Sequence, residues 1–180
     1  FKKDPRAPVL FSKSFPNGVA DADGRVLDAA QRAIEHMLVI LRLARIAVDH
    51  HKWVLFEHPA SQGVGKPYAS RGCEEHHTLF DMDKFVAFIK YARLEEVLTV
   101  MCKSGGANRK ATSLMASPCL LPSLRALLGV LFCDHDHSGQ EPTSGVDDNN
   151  NFRTRALRVY PPLFCERIVR ATLGACAQRQ

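Results

Sequence analysis

The chain has 180 residues, with a hydrophobic fraction of 46% and a charged fraction of 24%, the proportions of an ordinary globular protein large enough to build a core without staples. No apolar run approaches the ~20 residues that cross a bilayer, which argues against a membrane protein. The net charge of +5 (pI ≈ 9.0) admits an anionic partner such as nucleic acid without requiring one.

The six cysteines (73, 102, 119, 133, 165 and 176) contain no close pair and no regular spacing. A disulfide framework is therefore not expected, and a reducing intracellular compartment, nucleus or cytoplasm, is. No signal-peptide pattern opens the chain, which begins at Phe1 and reads as a fragment of something longer.

Residues 1 to 24 are irregular, broken by Pro5, Pro8, Pro16, Gly18 and Gly24. From Val26 to His50 the pattern is helical. Leu27, Ala30, Ile34, Met37, Leu38, Leu41, Ala44 and Val48 recur at steps of three and four, with Arg32, Glu35, Arg42 and Arg45 on the other side. The run Trp53-Val54-Leu55-Phe56 follows at once and reads as a buried strand of a parallel sheet covered on both faces. It stops at Glu57, His58 and Pro59. In open α/β sheets ligands bind at the carboxyl ends of strands, so Glu57 and His58 are candidate site residues. The competing reading makes Glu57 a helix cap or ion-pair partner and His58 an ordinary loop residue.

Residues 60 to 78 form a polar loop ending in Glu74-Glu75-His76-His77, and Asp81 to Arg93 reads as a helix with Asp81 as its N-cap. Strands are expected at 97 to 102 and 111 to 116. Pro118 to Val130 suits a helix led by proline, and a last helix opens at Pro161-Pro162 and runs to about Ala177. Between these helices, residues 133 to 151 form a loop insertion too polar to bury much surface. Helix, strand, helix, strand, strand, helix, helix is an α/β order. It predicts a partial Rossmann-like sheet with flanking helices, its central strand at 53 to 56, in a single domain over residues 1 to 180.

Several separated pieces resemble one family. Phe56-Glu57-His58-Pro59-Ala60-Ser61, then Arg109-Lys110-Ala111-Thr112 with Ser117-Pro118, then Cys133, His135 and His137 with Tyr160-Pro161-Pro162-Leu163-Phe164-Cys165, are similar in order and spacing to a methyltransferase-like domain of protist retroelement-type polyproteins. The resemblance spans residues 8 to 174. That domain in turn resembles the class I, S-adenosylmethionine-dependent DNA methyltransferases that modify carbon 5 of cytosine.

The resemblance implies a base flipped out of its stack, a thiolate nucleophile, and a glutamate, here Glu57, that holds the base. It places His58, Ser12, Arg109 and Lys110 as substrate contacts. Ser12 closes the Pro-Val-Leu-Phe-Ser segment that stands at the Pro-Cys loop, and no cysteine precedes Cys73, so the thiol is missing there. The Gly-rich loop that holds S-adenosylmethionine is missing too, and is expected upstream of Phe1. The implied function is a partial methyltransferase-like domain of a mobile-element polyprotein, acting on or near nucleic acid without completing methyl transfer.

Cys133, His135, His137 and Cys165 also compose a two-Cys, two-His set suited to tetrahedral zinc. Residues 138 to 164 separate its last two members, unlike a compact finger. The alternative function is thus a non-catalytic, zinc-stabilised nucleic-acid-binding or structural module. Against it stands the reading in which Cys165 is buried on the last helix and both histidines are solvated.

Overall fold

A computed structural model describes residues 24–61, 78–106, 110–129, 133 and 160–177. The element order is α1 (Gly24–Asp49), β1 (Leu55–Pro59), α2 (Asp83–Ala92), β2 (Glu95–Val100), β3 (Ala111–Ala116), α3 (Leu121–Leu128) and α4 (Pro162–Ala177), with short 3-10 turns at Leu79–Asp81, Met101–Ser104 and Pro118–Leu120. The chain is thus a mixed helix and strand fold, in the order that the periodicities predict.

The three strands form one sheet in the order β1-β3-β2, and both pairs are antiparallel. Two expectations are corrected here. The apolar run at 53 to 56 is not the central strand, and it does not join a parallel pair among the described residues. The strand is shifted to Leu55–Pro59 and stands at one edge, while β3 takes the centre.

The reason lies in the side chains. β3 presents Thr112, Ser113, Leu114 and Ala116 at no more than 1% exposure, a set mostly of small residues that lets helices close over both faces. β1 is only half-buried and ends in Pro59. A proline cannot donate to a ladder, so it is tolerated on an edge and not in the middle of a sheet.

The ladder continues beyond β1 at both ends. Val54 N donates to Ser117 Oγ (2.9 Å) and Ser117 N to Val54 O (3.0 Å), while Ala60 N donates to Ala111 O (3.0 Å).

Helices cover both faces, giving three layers. On one side Met37, Leu41 and Ala44 of α1 and Phe85 and Phe88 of α2 pack with Phe56 and Met115. Phe56 meets Phe85 edge-on at 5.1 Å between ring centroids, a favoured aromatic geometry. On the other side Leu121, Leu124 and Leu128 of α3 and Phe164, Ala171 and Ala175 of α4 pack with Val97, Leu114 and Ala116.

The N-cap expectation for Asp81 is also corrected, because Met82 occupies that position of α2. Asp81 instead closes the preceding turn, its Oδ2 accepting from Thr78 N (2.9 Å) and Thr78 Oγ1 (3.0 Å). No helix among the described residues is long and apolar enough to cross a membrane.

Candidate functional site

Successive side chains of a strand point to opposite faces, and this decides which nominated residues meet. Glu57 pairs across the ladder with Leu114, which pairs in turn with Val97, so its carboxylate lies on the α3/α4 face. His58 lies on the α1/α2 face, its ring 5.6 Å from that of Phe80. The two neighbours therefore do not share one site face.

Glu57 is joined by Lys110 and Tyr160. Lys110 leads directly into β3, and its Nζ lies 3.6 Å from Glu57 Oε1, with both side chains mostly buried (17% and 22% exposed). That oxygen is sealed from solvent and accepts no hydrogen bond among the described residues. Tyr160 precedes α4 and donates its hydroxyl to Glu57 Oε2 at 2.5 Å. Its ring stacks on Phe164, with centroids 5.7 Å apart and 14° between planes. The Lys110 ammonium lies 5.1 Å from the centre of the Tyr160 ring, within cation–π range.

The position of Tyr160 has a local cause. Pro161-Pro162 starts α4, since a proline at the first helical position gives up an N–H that would have no partner. Phe164 N and Cys165 N both donate to Pro161 O (2.9 and 3.2 Å). This first turn sets Phe164 into the core and leaves Tyr160 at the rim with 40% exposure.

Burial, and then the hydrogen bond and charge of Glu57, push the Tyr160 phenol up to about 12. At neutral pH it is therefore a fixed donor to the carboxylate. Burial dominates at His58, pulling the imidazole below its ordinary value against the opposing pull of the Pro59 carbonyl and Glu57. His58 Nδ1 lies 3.0 Å from Pro59 O.

Tyr160 belongs to the Tyr-Pro-Pro segment but is not among the residues nominated from sequence. Its role depends on a contact with Glu57 across 103 positions, for which no local pattern exists. Ser12, Arg109, His135 and His137 lie outside the described residues. Two grooves, of ≈ 380 and ≈ 340 Å³, lie away from Glu57. One borders Trp53, Val54 and Leu55 at the opposite end of β1, and the other lies between α1 and α2 beside Arg42, Arg45 and Tyr91.

The glycine pair after β2 belongs to a tight turn. Gly105 takes φ +83°, and a Cβ on Gly106 would meet the Met101 carbonyl oxygen at 2.9 Å. These glycines close their own turn. As for zinc, Cys165 is exposed rather than buried, and Cys133 is half-buried. No group of three or more His, Cys, Asp or Glu able to hold a metal occurs among the described residues.

Three kinds of group meet in this cluster. A carboxylate accepts hydrogen bonds from amino groups, an ammonium attracts phosphate, and an exposed ring supplies a stacking surface. Compared with protein-family models, with curated proteins and with solved structures, the chain finds no match.

Proposed function

We propose that this chain is part of a methyltransferase-like module of a mobile-element polyprotein, which engages an unpaired nucleobase without itself transferring a methyl group. The observation that carries this reading is the cluster of Glu57, Lys110 and Tyr160 on the α3/α4 face of β1, where a carboxylate, a cation and an exposed aromatic ring converge. The Rossmann-like ancestry belongs to the same proposal and is supported by helices on both faces of the sheet.

In this reading Tyr160 stacks on a base and the Lys110 ammonium meets the adjoining phosphate. An exocyclic amino group of the base takes over the Tyr160 hydroxyl's place on Glu57 Oε2. Nothing in the reading asks a side chain to act as nucleophile, in keeping with Ser12 standing where the resemblance calls for a thiol.

The test is fluorescence anisotropy with labelled single-stranded and duplex oligonucleotides at low and near-physiological salt. Tyr160→Leu is expected to weaken single-strand binding about ten-fold, from a stacking contribution of ~1–3 kcal/mol per base. Lys110→Ala is expected to weaken binding and flatten its salt dependence. Unchanged affinity in both variants, or no binding by the native chain at low salt, overturns the reading.

A further inference from the structure

A surface helix carries an apolar stripe toward the core and polar residues outward, whereas a helix that is apolar all round is covered on its outer side as well. The middle of α1 is of the second kind. From Met37 to Val48 only Arg42 and Arg45 are charged. Met37, Leu41 and Ala44 fill the side that packs toward the sheet. Val39, Ile40, Leu43 and Ile46 stand on the outer side, each between 48% and 62% exposed. Val39, Leu43 and Ile46 follow one another at steps of four and three, the spacing that lines side chains up along a helix. Single exposed apolar residues are ordinary, but a continuous strip marks a contact surface.

The charges at the two ends of this strip complement each other. Arg32 and Glu35 precede it, Arg45 and Asp49 close it, and all four are exposed. A second α1 laid antiparallel, with its Leu43 facing Val39, brings its Asp49 level with Arg32 and its Arg45 level with Glu35. The two-fold axis repeats each pair. A parallel arrangement would instead set Arg32 on Arg32 and Glu35 on Glu35. Arg45 and Asp49 are engaged at the surface, with each other at 3.8 Å and with Tyr91, where solvent leaves them free to exchange partners. Arg42 stands on the flank toward α2, in the groove with Lys84 and Tyr91, clear of the line of contact.

The exposed residues of α4 lack this arrangement. Leu163 and Val169 are not spaced by a helical repeat, and the charges beside Val169, Glu166 and Arg170, already pair within the helix at 2.7 Å.

We propose that α1 is the interface of a symmetric dimer, in which the outer strips of two copies of this chain pack antiparallel. Leu43 of each copy lies against Val39 and Ile40 of the other. Residues 32 to 49 offer a face ~27 Å long and ~10 Å wide, smaller than the ~800 Å² that each partner gives to a standard interface. The dimer is therefore weak and reversible, with a dissociation constant in the micromolar range. α1 lies on the opposite face of the sheet from α3 and α4. Dimerisation thus leaves Glu57, Lys110 and Tyr160 open in both copies, and it does not depend on what that cluster binds.

The test is sedimentation equilibrium of the full chain from low micromolar to near-millimolar concentration. The expected result is a reversible shift from 20.0 kDa to twice that mass. Leu43→Glu and Val39→Lys each put an unpaired charge into the strip and are expected to weaken the dimer about ten-fold or more. Both positions are exposed, so melting temperatures taken below the dimerising range are expected to stay within about 2 °C of the native chain. Mixed in equal amounts, the two variants are expected to recover most of the native association. The antiparallel register then sets the new carboxylate against the new ammonium at one contact and leaves Val39 against Leu43 at the other. Tyr160→Leu is expected to dimerise as the native chain does.

A monomer at every concentration overturns the proposal and leaves the strip to a helix of another protein or to the chain's own residues before Gly24. A dimer that survives Leu43→Glu also overturns it, as one formed through α4 would. So does a mixture of the two variants that associates no better than either alone, since that result excludes the antiparallel register.

Discussion

The phenol of Tyr160 donates a 2.5 Å hydrogen bond to Oε2 of Glu57, joining the lead-in of α4 to the middle of β1. Tyr160→Phe removes the hydroxyl but keeps the ring on Phe164 and beside Lys110. A hydrogen bond to a charged group contributes ~1.5–3 kcal/mol, and the partial exposure of Tyr160 scales this down. The expected loss is about 1 kcal/mol, or ~2–4 °C in melting temperature for a chain of this size. Thermal denaturation checks it, and an unchanged melting temperature would show that the bond adds nothing.

The same phenol gives the fold an alkaline limit. Its pKa stands at about 12 in the folded chain, raised by burial first and by Glu57 second, against ~10 when unfolded. The folded state holds this proton more tightly. The associated stability is therefore complete below about pH 10 and is lost as pH rises toward 12. Urea unfolding across that window is expected to show a steeper fall for the native chain than for Tyr160→Phe. Tyr91 is also raised, chiefly by its hydrogen bond to Asp49, so Tyr91→Phe serves as the comparison. Equal slopes in the native chain and Tyr160→Phe would contradict this assignment.

His58 sets a limit on the acid side. Its folded pKa lies below the ordinary value of 6.5, mainly because burial disfavours the imidazolium. The unfolded chain takes up the proton first, so the stability associated with neutral His58 is present above about pH 6.5 and is lost as pH falls through the depressed value. His58→Phe keeps an aromatic ring against Phe80 and is expected to lose less melting temperature than the native chain between about pH 7.5 and about pH 5.5. A larger loss in the variant would refute this role.

How far the fold could be read in advance depends on whether a signal is local. The positions of Ala30, Met37, Leu41 and Ala44 repeat with the helical period, and all four are buried on α1. The limits of β3 and the start of α4 at Pro162 also follow from nearby residues. Pairing is not local. Glu57 faces Leu114 because β3 lies between β1 and β2, and nothing in Trp53-Val54-Leu55-Phe56 distinguishes a central strand from an edge strand. Pro59 carried the edge signal, but reading it required seeing that the strand runs on through Glu57 and His58. For the site, alternation along β1 separates Glu57 from His58. Lys110 and Tyr160 reach the carboxylate only through tertiary contacts.

Thr112 offers a test of the same sheet face from inside. It is 0% exposed at the centre of the sheet, opposite Pro59 on one side and Thr99 on the other, and its Oγ1 has no hydrogen-bond partner among the described residues. A buried hydroxyl left without a partner costs ~1–3 kcal/mol relative to water. Valine keeps the branched shape suited to a strand and replaces that oxygen with a methyl group. The substitution removes a desolvated polar atom and fills the same space. Thr112→Val is therefore expected to raise stability by about 1 kcal/mol, seen as a melting temperature ~2–4 °C higher. Thr112→Ala deletes the methyl group as well, opens a small cavity and is expected to destabilise by a similar amount. Should Thr112→Val lower the melting temperature, the hydroxyl must have a partner that contributes to stability, and this face of the sheet would contain a polar contact at Thr112.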